Sequence, residues 1–456
     1  MYTATQSDIS RILTTQHEYF AQGHTLSIKQ RREHLQMLLQ ALHKYEQPLA
    51  DALWQDLHKS YEEAYLTEFS IVYRELRNHI RNIHHWVRPI HKPSPISIMP
   101  AQSKIITEPL GAALIIAPWN YPIQLLINPL VGAIAAGCTV VLKPSPYVPH
   151  VSHVLAEMIR QTFPERYIAI VEGHRNVNQL LLAERWDIIF FTGSPVLGKQ
   201  VMAAAAKHLT PVILELGGKS PCIVDREADL AIAARRIAWG KVINAGQTCI
   251  APDYLMVHKD VKDVFLALLA KEFQHLLGDD SRQAKHYVRI VSDKAFERLV
   301  RYLDDGHVAY GGRYDVTERY IEPTILTDVS ADAPVMQEEI FGPIFPVLEF
   351  SSITEATSFI TEREKPLALY YFGKQSQYVL KHTSAGGTCI NDTIMHIVND
   401  HLPFGGVGNS GMGRYHGKES LLAFSHQRAV VETPTWIDMP FRYMPYRLFK
   451  WVKKLI

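Results

Sequence analysis

Cysteine is scarce in this chain: four residues among 456, with no CxxC pair and no zinc-finger spacing. That excludes a disulfide-stapled secreted scaffold and favours a reducing compartment, the cytoplasm. An excess of either charge is missing as well. Lys and Arg total 47 against 46 Asp and Glu, a formal charge of +1, which leaves no long-range field to attract nucleic acid or an anionic membrane. Residues 1–15 lack the apolar centre and small-residue cleavage site of a secretory signal. The most apolar stretch, 125–142, is interrupted by Asn128, Pro129, Gly132 and Gly137 and ends in Thr139-Val140-Val141-Leu142, the pattern of a buried helix running into a buried strand rather than a membrane span. The 22 histidines, His84 and His85 among them, show no ligand spacing with partnering acids, so no metal is expected. Internal repeats and low-complexity linkers are also absent, and the Phe191–Gly198 stretch does not read GxGxxG.

What is present is length and alternation. The chain exceeds what one hydrophobic core usually organises, so two domains or one with substantial additions are expected. The first ninety or so residues read as charged helices, with apolar residues at three- and four-residue intervals over 28–53. From Lys104 onward short apolar runs at 112–117, 140–142, 168–171, 188–191 and 212–216 alternate with amphipathic helical segments. This predicts an α/β fold with a parallel sheet covered on both faces, a Rossmann-like unit. A second series of runs at 222–224, 254–257, 344–350, 367–372 and 388–390 predicts a second α/β unit, with a soft boundary near Glu215 to Gly218 placed by the glycine pair.

Three stretches carry chemistry. Phe191-Thr192-Gly193-Ser194-Pro195 follows a strand-like run and precedes a helical segment ending near His208. Ser194 suits an N-cap, Pro195 the first helical position, and Gly193 a close backbone approach, so the helix N-terminus could receive a dinucleotide pyrophosphate; the plainer reading is a well-capped helix. Gly246-Gln247-Thr248-Cys249 brings a cysteine out of a glycine turn after a helical segment at 230–243. An exposed, activated nucleophile and a small buried hydrophobe are both open readings of Cys249, while Cys138, Cys222 and Cys389 lie in apolar runs and read as core. Leu214-Glu215-Leu216-Gly217-Gly218 places an acid between leucines at a strand end. Burial there would raise its pKa toward that of a general base; otherwise it simply reaches solvent.

Together with Ala117-Pro118-Trp119-Asn120-Tyr121-Pro122, Leu142-Lys143-Pro144-Ser145, Glu338-Glu339-Ile340-Phe341-Gly342-Pro343 and Leu402-Pro403-Phe404-Gly405-Gly406, these stretches occur in the order and approximate spacing of the aldehyde dehydrogenase superfamily. The chain resembles that superfamily across nearly its whole length, and its short N-terminal region and Trp-Asn-Tyr-Pro motif resemble the class 3, fatty-aldehyde-type branch. The resemblance implies an NAD(P)-dependent enzyme that oxidises an aldehyde to the acid. Cys249 is then the nucleophile, Asn120 and the Cys249 N–H hold the oxyanion, and Glu215 activates the water that hydrolyses the thioester. It further implies that Lys143 meets the adenine-side ribose, Gly193 and Ser194 the pyrophosphate, and Glu339 the nicotinamide-side ribose with Phe341 nearby, while Trp119, Gly198 and Leu216 complete the cofactor site. One departure bears on the cofactor. Many members carry an acid three positions after the lysine, where this chain has Pro146; a carboxylate there would repel a 2'-phosphate, so NAD is expected with NADP tolerated.

The implied architecture has a cofactor domain at 1–92 and 109–215, a catalytic domain at 216–400, and a bridging and oligomerisation element at 93–108 and 401–456. A homodimer is expected from the resemblance. Medium- or long-chain aliphatic and aromatic aldehydes are the expected substrates, although Tyr121 and the C-terminal aromatics read more simply as core than as a pocket wall. From Trp436 to Ile456, Phe441, Tyr443, Tyr446, Phe449 and Trp451 interleave with Arg442, Arg447, Lys450, Lys453 and Lys454; the tail packs on the body or a partner subunit, or lies weakly on a membrane surface, with no span after Lys454 for permanent anchoring. Competing readings are a CoA-acylating dehydrogenase, which would not need Glu215, a thiol hydrolase, which would want a histidine by the cysteine, and a non-catalytic structural protein, which would be expected to have lost its catalytic residues.

Overall fold

The structure is a computed structural model that describes residues 4–438, 440–446, 449, 450 and 453. The apolar runs become strands. Ala112–Ile116, Thr139–Lys143 and Ile188–Thr192 are buried at every position, with no polar alternation because helices cover both faces of the sheet they form. That sheet has six strands in the order Gly411–Met412, Val212–Glu215, Ile188–Thr192, Ala112–Ile116, Thr139–Lys143, Ile168–Ile170. All neighbours run parallel except the first pair, in which Gly411 lies opposite Glu215.

A seven-stranded sheet follows in the order His307–Tyr310, Thr324–Thr327, Ile344–Phe350, Tyr254–His258, Pro221–Val224, Ala368–Phe372, Gly387–Ile390, parallel except at its first strand. A third, antiparallel sheet joins Ile90–Lys92, Gln102–Pro109 and Ser425–Glu432. The 125–142 stretch is a wholly buried helix, Gln124–Ala136, leading into Thr139–Lys143. Gly132 in that helix lies against Lys418–Ala423, where an added Cβ would sit 2.6 Å from the Ser420 carbonyl oxygen. Among the described residues no helix is long and apolar enough to cross a membrane.

Within 401–456, among the described residues, Ser425–Glu432 enters the third sheet. Gly411–Met412 extends the six-stranded sheet, and Lys418–Ala423 packs on Gln124–Ala136. Aromatic packing accompanies this arrangement. Tyr415 and Phe424 set their rings against Phe190 at centroid distances of 5.1 and 5.9 Å, tying this stretch to the six-stranded sheet. In the tail, Trp436, Tyr443, Tyr446 and Phe449 are exposed, while Arg447, Trp451 and Lys454 lie outside the described residues.

Candidate active site

The Leu230–Val242 helix ends at Ile243, whose ψ of 131° breaks the helical path, and the chain turns through Asn244, Ala245 and Gly246 at φ of 52°, 52° and 73°. Left-handed backbone at a residue with a Cβ costs on the order of 1–3 kcal/mol, and it persists only where its surroundings dictate it. Here they do. Glu63 Oε1 accepts the Asn244 N–H at 2.8 Å, and Asn244 Nδ2 donates to the carbonyls of Asn120 and Gln247 at 3.0 Å each. Gln247 Nε2 donates to the carbonyls of Asn244 and Arg289 at 3.1 Å, and Gln247 Oε1 accepts the Val291 N–H at 3.1 Å. Gly246 has no alternative: a Cβ there would lie 2.3 Å from the Gly342 carbonyl oxygen.

This turn delivers Cys249, half-buried, to a cavity of 1130 Å³. The thiol is held neutral, pushed well above its ordinary value by burial and then by the carboxyls of Glu339 and Glu215, while the N–H groups of Cys249 and Ile250 act the other way. Asn120 is buried on the cavity wall, and its Nδ2 donates to the Gln247 carbonyl at 3.0 Å. A primary amide has two protons, so one remains for a ligand oxygen. Its loop is held from behind by Lys59, whose Nζ donates to the Asn120 carbonyl at 3.1 Å.

Glu215 ends its strand on the same wall, 3% exposed, with neither carboxyl oxygen hydrogen-bonded. Burial alone pushes its pKa well above the usual carboxylate range. A carboxyl so placed is a stronger base than one in water once it loses its proton, and its lone pairs are free for a water. This is the buried acid of the sequence reading, not one that reaches solvent.

The other side of the cavity fits a dinucleotide. Ser194 caps the Pro195–Ala206 helix, accepting the Leu197 N–H at 3.5 Å with Pro195 at the first helical position, so the helix opens onto the cavity with its dipole toward an anion. The Gly193 N–H is taken by the Glu215 carbonyl at 3.0 Å, and a Cβ on Gly193 would meet the Phe191 ring at 2.6 Å. Thr192 Oγ1 is buried beside it without a partner. Glu339 lies on the bare backbone of Gly217, where a Cβ would come within 1.9 Å of Oε2; burial and Asp253 push its pKa up, and the Gly218 N–H, Lys219 and Arg298 oppose them. Glu338 beside it bonds Arg298 and Tyr302. Phe341, at φ 51°, sets its ring edge-to-face on Trp119 at 5.4 Å, both on the wall.

Leu216 also lines the cavity, but Lys143 and Gly198 do not. Gly198 lies beneath it, where a Cβ would meet Leu216 Cδ2 at 2.7 Å, so this glycine allows the helix to approach the strand. Lys143 is 1% exposed at the end of Thr139–Lys143, and its Nζ donates to the Pro144 carbonyl at 2.8 Å. Burial lowers its pKa to about 8, with Glu172 opposing. Tyr121 is buried and hydrogen-bonds Thr248 Oγ1 at 2.6 Å, the core role of its two readings. Lys59, Glu63, Glu68 and Asn244 escape the sequence reading: their charges and amides look like those of any solvated helix, and their partners lie far away in the chain.

The aldehyde dehydrogenase family matches residues 1–430. The chain is 44% identical over 441 residues to the 4,4'-diaponeurosporen-aldehyde dehydrogenase of Staphylococcus aureus, covering 95% of this chain and 96% of that one. It is 45% identical over 426 residues to the dimeric NADP-preferring aldehyde dehydrogenase of Rattus norvegicus (93% and 94% covered). With aldehyde dehydrogenase family 3 member B1 of Homo sapiens it shares 48% over 415 residues (90% and 89% covered). The solved structure of Staphylococcus aureus AldH in its substrate-bound state superposes with a TM-score of 0.96 at 43% identity, over 98% of this chain and 99% of that one. The chain belongs to the aldehyde dehydrogenase family, in its class 3 branch, and is an NAD(P)-dependent oxidoreductase that acts on aldehydes.

Proposed function

We propose that the oxidation runs through Cys249, Asn120 and Glu215 and releases a free acid. Cys249, its thiol proton released to solvent, attacks the carbonyl carbon as thiolate to give a tetrahedral thiohemiacetal anion, and the Asn120 amide and the Cys249 N–H take the negative charge on oxygen. A bound nicotinamide would supply the hydride acceptor for this carbon, and Cys249 would then hold the acyl group as a thioester. Glu215 then takes a proton from water, the hydroxide adds to the thioester carbon, and the C–S bond breaks to release the acid and the thiolate. One observation carries this reading: Glu215 is buried on the Cys249 cavity with both oxygens unpartnered. A CoA-acylating enzyme would have no use for such a group.

The cofactor is held, in this reading, by the Ser194 helix N-terminus and Gly193 at the pyrophosphate, Lys143 and Glu339 at the two riboses, and Trp119, Leu216 and Phe341 around the nicotinamide side. Gly198 supports them through Leu216. NAD is the cofactor and NADP is accepted, because Pro146 puts no carboxylate against a 2'-phosphate. The six-stranded sheet forms the core of the cofactor domain, the seven-stranded sheet that of the catalytic domain, and the three-stranded sheet the bridge. Medium- and long-chain or aromatic aldehydes are the substrates in this reading; one relative is named for 4,4'-diaponeurosporen-aldehyde. The chain works as a homodimer in this reading; another relative is named as dimeric, and a monomeric mass in sedimentation would refute this. Four free thiols suit the cytoplasm, and the exposed rings of Trp436, Tyr443 and Phe449 allow weak peripheral contact with a membrane.

The test is to supply straight-chain and aromatic aldehydes with NAD or NADP, with and without CoA, and to identify the acyl product. Reduced cofactor together with free acid, without CoA, is the expected result. Acyl-CoA alone, or no turnover, would overturn the hydrolytic reading.

A further inference from the structure

We infer that Glu63 is a positioning residue for the nucleophile, holding in place the left-handed turn that presents Cys249; this rests on the reading of Cys249 given above. The Asn244 N–H has left its own helix at Ile243, and a buried backbone donor without a partner is costly. Its acceptor comes from 181 residues earlier in the chain, Glu63 Oε1 at 2.8 Å. From there the bonds run without a gap to the reacting centre. Asn244 Nδ2 reaches the Asn120 and Gln247 carbonyls, and the Gln247 carbonyl also takes the Asn120 side-chain amide. A shift of the Asn244 backbone would therefore move both the oxyanion donor and the strand of chain that carries the thiol.

Glu63 is built to hold this place. It sits on the short Tyr61–Ala64 turn, capped by Ser60, whose Oγ accepts the Glu63 N–H at 3.2 Å. Thr67 Oγ1 donates to the Glu63 carbonyl at 2.7 Å. The π-helical turn Tyr65–Phe69 that follows carries Glu68 into its buried pair with Lys59; single π-turns of this kind recur at functional sites. Lys59, Glu68, Tyr121 and Tyr287 are the titratable groups whose charges couple to the Glu63 carboxyl. Burial, opposed by Lys59 and the Asn244 N–H, brings its pKa to about 7. No other part of the proposed chemistry uses this carboxyl.

The experiment is stopped-flow and quenched-flow kinetics on the full chain with NAD and hexanal, comparing parent with Glu63→Ala, Glu63→Asp and Glu63→Gln. The acylation burst reads the placement of Cys249 and Asn120 together, and the steady-state hydrolysis reads Glu215 and Asn120. Misplacing reacting groups by about 1 Å costs on the order of 100-fold, so Glu63→Ala is expected to slow the burst by about 10- to 100-fold. Fluorescence titration should give an unchanged Kd for NAD, and pre-formed acyl-enzyme should hydrolyse with a smaller loss than the burst shows, because hydrolysis needs the oxyanion donors but no longer the placement of the attacking thiol. Glu63→Gln, which keeps an oxygen acceptor, should restore most of the burst. If Glu63→Ala does not fold, Glu63→Asp decides, since it keeps the charge but is one methylene too short to reach Asn244. A parent-like burst in both Ala and Asp variants would overturn the inference, as would equal losses of acylation, hydrolysis and cofactor binding, which mark general disorder. A parent enzyme that forms no reduced cofactor at all would instead sink the functional reading beneath it.

Discussion

Lys59 Nζ and Glu68 Oε1 lie 2.9 Å apart with neither side chain exposed, and between them they fasten both ends of the loop that carries Asn120. Lys59 donates to the Asn120 carbonyl, and Glu68 Oε2 accepts the N–H groups of Ile123 at 2.8 Å and Gln124 at 3.3 Å. The ammonium also faces the Tyr121 ring at 4.3 Å. Breaking a buried pair from one side leaves an uncompensated charge, at about 3–5 kcal/mol. Glu68→Gln and Lys59→Met are therefore each expected to lower the urea midpoint steeply without changing the slope, and to reduce turnover because Asn120 loses its fixed position. A double-mutant cycle should return a large coupling; purely additive losses would deny that the two residues act as a pair.

Removing the thiol tests the nucleophile itself. Cys249→Ala should abolish formation of reduced cofactor from any aldehyde while calorimetry still records NAD binding, because the cofactor side of the cavity uses no atom of the cysteine side chain. Turnover at the parent rate in this variant would require another nucleophile.

Glu215 carries opposed predictions for rate and stability. General-base contributions are typically about 100- to 10,000-fold, so Glu215→Gln should slow hydrolysis within that range and accumulate an acyl-enzyme visible as added mass. Its pKa in the fold is raised above the ordinary 4.5 by burial. The unfolded chain therefore ionises first as pH rises from 4.5, and the folded state loses stability through that window until the buried group ionises as well. Glu215→Gln removes this loss. The variant is expected to match the parent near pH 4 and to exceed it in denaturation midpoint at pH 8. A parent that is no less stable at pH 8 than its variant would show that Glu215 is solvated.

How far the molecule could be read in advance follows from where its interactions lie in the chain. Ala112–Ile116 and Ile188–Thr192 are legible because a strand buried on both faces must be apolar throughout, a local constraint. Cys249, Glu215 and Glu339 can be found because each sits in a short motif with its glycines. Gly217 bears against Glu339 and Gly246 against Gly342, so those glycines record contacts that no side chain permits. Glu63 is different. Its partner Asn244 lies in another element, and neither residue's neighbours show the pairing. The Gly411–Met412 strand is hidden for a related reason: two residues cannot display a period, and its place opposite Glu215 comes from aromatic packing around Tyr415.

Cofactor selection provides a test at one position. Pro146 lies in the turn after the Thr139–Lys143 strand, two residues beyond Pro144, whose carbonyl holds Lys143. Replacing it with Glu places a carboxylate near the site proposed for the adenine-side ribose. Two like charges about 4 Å apart repel by about 1 kcal/mol in water and about 4 kcal/mol at a protein surface. Since 1.4 kcal/mol is about tenfold in Kd, Pro146→Glu should weaken NADP binding by about fivefold or more. NAD, with only a hydroxyl to accept, should bind as well as before or better. Fluorescence titrations of both cofactors against parent and variant measure the ratio directly. An unchanged ratio would place the 2'-position of the ribose away from this turn and remove Lys143 from the proposed cofactor site.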